Sequence, residues 1–89
     1  MENTSQDFIQ PNNLEAEEAV IGSILIDPDA YFEVASTIRP DDFYLVKHRW
    51  IWNVFMTLHD QNMPIDQLTT KDELEARNQL EEIGGFAYL

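Results

Sequence analysis

The sequence has no cysteine, so neither a disulfide framework nor a thiolate metal site can brace the fold, and the core must come from packed apolar side chains alone. Glycine is scarce as well. There are three, and none precedes a lysine, which excludes a phosphate-binding Walker loop with its glycine-rich turn and Gly-Lys-Ser/Thr ending. A Gly-x-Ser-x-Gly elbow is likewise missing. Long hydrophobic runs are absent: Ala19 to Ile26 falls far short of the roughly 20 apolar residues of a bilayer span. Met1-Glu2-Asn3-Thr4-Ser5-Gln6 lacks the basic and apolar regions of a signal peptide. A cytoplasmic domain with no membrane partner is the expectation. Positive charge is the last deficit. Five basic residues face 17 acidic ones, for a net charge of −12, which repels a phosphate backbone and removes the counterion-release term behind most DNA binding. Direct nucleic-acid binding is not expected. A solvated surface is the plain reading of this charge, and a basic protein partner the functional one.

What is present fits one small all-α domain of 89 residues, a helical bundle of about four to five helices by its apolar periodicity. Residues 1–12 are polar apart from Phe8 and Ile9 and read as a flexible arm, and residues 13–89 as the helical head. The first helix is expected to begin after Asn12 or Asn13, with Glu15, Glu17 and Glu18 near its positive end. Val20, Ile21, Ile24, Leu25 and Ile26 cover most of its circumference, the pattern of a buried helix. Gly22 either permits close approach of a neighbouring helix or is simply tolerated. Asp27-Pro28-Asp29 ends this helix and starts another, in which Tyr31, Val34, Ala35 and Ile38 share one apolar face.

After the break at Arg39-Pro40-Asp41-Asp42, Phe43-Tyr44 reads as an aromatic plug. A third helix is predicted from near Lys47 to Gln61. Ile51, Phe55 and Leu58 centre its stripe, with Trp50 and Val54 on one margin and Trp52 and Met56 on the other. That width implies a helix packed on two sides, or one with Trp52 and Met56 left for a partner. Asn62-Met63-Pro64 closes it, and Ile65-Asp66-Gln67-Leu68 reads as a short extended connector. Thr70 and Glu73 have the spacing of a capping box opening a helix with Leu74 facing inward. Leu80 and Ile83 follow, Gly84-Gly85 should stop a helical turn, and Phe86-Ala87-Tyr88-Leu89 resumes a helix-compatible pattern.

Candidate chemistry is thin. His48 and His59 lie on nearly the same side of the third helix but roughly 16 Å apart, too far to share a metal ion. Asp27, Asp29 and Glu33 lack the mid-loop glycine of a calcium loop. Asp41-Asp42 at a helix start are better explained as caps than as an acid–base pair. No catalytic, cofactor-binding or metal site is therefore assigned. Trp52, Met56, Tyr44 and Tyr88 are the candidate partner-interface residues, because these types are enriched at interfaces. Core packing competes with that role, more strongly for Trp50 than for Trp52 and Met56.

In order, Leu14-Glu15-Ala16-Glu17-Glu18-Ala19-Val20-Ile21-Gly22, Asp41-Asp42-Phe43-Tyr44, His48-Arg49, Pro64-Ile65-Asp66 and Leu80-Glu81-Glu82-Ile83-Gly84-Gly85-Phe86-Ala87-Tyr88-Leu89 resemble the N-terminal domain of DnaB-type replicative helicases over about residues 11–89. Trp50 and Trp52 depart from the smaller aliphatic or phenylalanine side chains expected there, and Thr70 from an aliphatic. The resemblance implies an all-helical head, truncated before the helical hairpin, from a ring-shaped hexamer that unwinds duplex DNA at the replication fork. It implies ATP and Mg in a RecA-like motor outside these residues. The implied partners are other helicase subunits, the primase C-terminal domain and a helicase loader.

Two other classes compete on the residues alone. The charge would suit a free-standing acidic helical adaptor or DNA mimic, which a downstream hairpin and Walker loop in the gene would remove. A small enzyme using Asp41, Asp42 and His48 is the third.

Overall fold

The computed structural model of the protein describes residues 13–84, which form four α-helices and two 3-10 turns: α1 Leu14–Ile26, α2 Tyr31–Ala35, α3 Val46–Asp60 and α4 Gln67–Ala76, with Pro28–Ala30 preceding α2 and Pro40–Asp42 preceding α3. No strand occurs among the described residues. The arm 1–12, Gly85 and the segment 86–89 with its candidate Tyr88 lie outside them.

The α1 helix starts where its cap dictates, since the Asn13 side chain accepts from the Ala16 amide at 3.4 Å. Its burial does not follow the all-round expectation. Only Ile21 and Ile24 are buried, Val20 and Leu25 are half-buried, and Ile26 is 87% exposed. The reason is coverage from one side: α3 packs under α1, and among the described residues no helix closes over its outer face. Gly22 follows the tolerated reading, because a Cβ placed there meets nothing within 4 Å. Asp27 ends α1 through its backbone amide, which donates to the Ser23 carbonyl, and its side chain caps nothing. Pro28 occupies the first position of the following turn, where its missing amide costs nothing.

The α3 helix is the axle of the domain, with His48, Ile51, Trp52, Val54, Phe55 and Leu58 all buried. Of the two readings of its broad stripe, packing on two sides is the one realised. Trp52 is fully enclosed, its ring 5.5 Å from those of Tyr31, Phe43 and Phe55. Each such side chain contributes about 1.5–3 kcal/mol by burial. The expectation that Trp52 faces a partner is thus corrected: α2 and the Phe43 loop cover its margin of the helix. Coverage of the opposite margin is partial, and Trp50 is left half-buried.

The α4 helix begins four residues earlier than the Thr70 capping box implied. Asp66 is the N-cap, accepting from the Thr69 amide at 2.8 Å while Thr69 Oγ1 accepts from the Asp66 amide at 3.0 Å, a reciprocal pair that satisfies two otherwise orphaned donors. The extended connector therefore shrinks to the residues before Asp66, and Gln67 and Leu68 are already helical. Thr70 sits inside the helix, fully buried, and Leu74 faces inward as expected.

Candidate interaction surface

A carboxylate from one helix organises the start of another. Leu45, the N-cap of α3, makes no side-chain cap bond. Glu17 of α1 holds the backbone that leads into the helix: its carboxylate accepts from the Tyr44 amide at 2.6 Å and the Leu45 amide at 3.4 Å, and lies 2.7 Å from Nδ1 of His48. A negative group at the positive end of a helix is favourable, and charge-assisted bonds of this kind exceed neutral ones. Arg49 completes the clamp, Nε donating to the Phe43 carbonyl at 2.7 Å. Held this way, the loop turns Phe43 inward, 3% exposed, and Tyr44 outward, 53% exposed.

Outside the clamp lies a shallow groove lined by Leu14, Tyr44, Leu45, Val46, Lys47, Trp50 and Glu82. Val46 and Trp50 stand one turn apart on the same face of α3, and Val46 is 49% exposed. Tyr44 thus joins an apolar surface, with Trp50 beside it in place of Trp52. Met56, 37% exposed, does not belong to this face. Six residues separate it from Trp50, which places the two about 120° apart around the helix.

The residues weighed for chemistry are dispersed. Asp42 Oδ2 accepts from the Arg39 amide at 2.8 Å, a cap of the 3-10 turn. The His48–Glu17 pair has a base and an orienting carboxylate, but His48 is wholly enclosed, so a substrate has no approach to it. His59 packs its ring against Tyr31 at 5.0 Å and Phe32 at 4.8 Å. Tyr31 has its phenol pushed above its ordinary value by burial and, secondarily, by the negative charge of Asp60. Among the described residues no group of three metal-ligating side chains comes together, and no helix is long and apolar enough to cross a membrane. Sequence reasoning placed Glu17 only near its own helix start and missed its link to His48, 31 residues away, because no local pattern marks a contact that tertiary folding alone creates.

The family model for the DnaB-like helicase N terminal domain matches residues 9–89. The replicative DNA helicase DnaC of Bacillus subtilis is 41% identical over 83 residues, which are 93% of this chain and 18% of that protein. The replicative DNA helicase DnaB of Geobacillus stearothermophilus is 41% identical over 81 residues, with 91% of this chain and 18% of that protein covered. The crystal structure of the N-terminal domain of DnaB helicase from Mycobacterium tuberculosis superposes with a TM-score of 0.84 at 36% identity, over 88% of this chain and 56% of that one. The chain therefore spans less than a fifth of the length of these curated relatives.

Proposed function

The chain belongs to the DnaB-like helicase N-terminal domain family, and from that premise we propose that it is the collar and docking domain of a replicative helicase that unwinds duplex DNA at the fork. In this reading ATP and Mg act in a motor domain beyond these 89 residues. The domain's own work is assembly with other helicase subunits into a hexamer, and docking of the primase C-terminal domain or a loader. The observation that carries the reading is the match in sequence and fold to relatives named as replicative helicases. The exposed Tyr44–Val46–Trp50 face is the surface this reading assigns to docking.

The experiment is titration calorimetry of the primase C-terminal domain against the chain extended through its natural gene. Tyr44→Ser with Val46→Ser, both at exposed positions, is expected to weaken binding at least about tenfold, with the thermal midpoint held. Unchanged affinity would remove the assigned surface. Stoichiometric ATP binding by the 89-residue chain would contradict the division of labour itself.

A further inference from the structure

On the outer side of α1 a second surface has no helix packed over it among the described residues. Glu18, Gly22 and Ile26 follow one another at four-residue spacing and so share a face. Together with Leu25, Asp66, Gln67 and Leu68, Gly22 and Ile26 line an open cleft of about 590 Å³ between α1 and the start of α4. Ile26 is 87% and Leu68 66% exposed, two large aliphatic side chains flanking one cleft. Gly22 forms its floor, with open space where a Cβ would stand. A glycine inside a helix costs about 1 kcal/mol relative to alanine, and no packing among the described residues offsets that cost.

The charge around the cleft selects its occupant. The α1 helix carries Glu15, Glu17 and Glu18 and no cation, and α4 carries Asp72, Glu73 and Glu75 against the single cation Lys71. Asp27 follows Ile26 directly, Asp66 lines the cleft, and Asp72 lies one turn beyond Leu68 on the same face. A second copy docking through this face would form an isologous contact, setting Glu18 and Asp72 against the like charges of its mate. Nucleic acid and anionic lipid are repelled by the same field. Strand addition is unavailable, because the described residues hold no sheet edge. What remains is a helix laid into a groove, apolar residues at i and i+3 or i+4 as anchors and cations on its flanks.

We propose that the α1–α4 cleft, floored by Gly22 and flanked by Ile26 and Leu68, is a docking site for a cationic amphipathic helix of another protein. The site is separate from the Tyr44–Trp50 face and stands independently of the helicase reading, so either can fail alone.

The test uses the 89-residue chain and a labelled synthetic leucine–lysine amphipathic helix as probe, read by fluorescence anisotropy at low and high salt. The expected result is saturable binding that Ile26→Ser/Leu68→Ser weakens at least about tenfold without moving the thermal midpoint. Phe32→Ser, at an exposed position on α2, leaves it unchanged, and Glu18→Gln/Asp72→Asn flattens its salt dependence. A leucine–glutamate helix of the same apolar pattern does not bind. Three outcomes overturn the proposal: no saturable binding of the probe, equal loss in the Phe32 variant, or dimerisation of the unaltered chain that Ile26→Ser/Leu68→Ser abolishes, which would assign the cleft to a second copy.

Discussion

Thr70 carries an unanswered polar atom. Its residue is fully buried and its Oγ1 finds no hydrogen-bond partner among the described residues, and a buried hydroxyl left so carries a deficit of about 1–3 kcal/mol. Valine has nearly the same shape and no such debt. Thr70→Val is therefore expected to stabilise the domain by about 1 kcal/mol, seen as a higher urea midpoint at constant m-value, and a lower midpoint would show that the hydroxyl is satisfied in solution. Tyr31 makes the opposite case, a polar group whose protonation state burial defends. Its raised phenol means that the folded chain holds this proton more tightly than the unfolded one does. Stability is then complete below the unfolded value of about 10 and falls as pH rises through the folded value. Alkaline denaturation followed by circular dichroism should show this loss, and Tyr31→Phe should reduce it.

At the level of helices, the end of α3 was legible, while the end of α4 and how the helices are covered were not. The α3 and α4 helices both close with an asparagine in the left-handed region, Asn62 at φ 58° and Asn78 at φ 59°. In each, the next amide reaches back to a carbonyl five residues earlier, Met63 to Leu58 at 2.8 Å and Gln79 to Leu74 at 2.9 Å. This is the Schellman closure that asparagine tolerates, and its Asn62-Met63-Pro64 signature was readable because the geometry is local. The start of α4 was misplaced for a related reason: Asp66 and Thr69 form as good a box as Thr70 and Glu73 would, and only burial of Thr70 decides between them. Coverage depends on distant neighbours. Periodicity gave α1 an apolar girth over most of its circumference and α3 a broad stripe, yet α3 is wrapped by α1, α4 and the Phe43 loop while, among the described residues, no helix covers the outer face of α1. Gly22 on that face yields a measurable consequence. Since a Cβ meets nothing there, Gly22→Ala should recover the helix propensity that glycine forfeits, about 0.8–1 kcal/mol, as a rise in thermal midpoint. A fall would mean that a side chain at this position does clash.

For the molecule as a whole, the family and the all-helical class were legible from ordered segments, and the absence of a phosphate loop from three glycines. Which tryptophan α3 would bury was less so, because Trp50 and Trp52 differ by two positions and the sequence holds no record of which margin α2 would cover. Charge is a different matter, since it is fixed by composition. A net charge of −12 on 89 residues opposes compaction, and two ion pairs within the described residues work against it. Glu17 is held by His48 and Glu73 by Arg77 at 2.9 Å, the second pair being a partly exposed one of the kind that adds little. Salt shortens the reach of the remaining repulsion to about 10 Å at 0.1 M, and it weakens the attractions less, because the best of them, at Glu17, is largely enclosed. The thermal midpoint should therefore rise with sodium chloride, by roughly the 4–8 °C that 1 kcal/mol gives in a domain of this size. Sedimentation velocity at each salt concentration should show a monomer throughout, so that the gain is intramolecular. A midpoint that falls with salt would mean that specific ion pairs, and not the apolar core around Trp52, hold the chain together against its own charge.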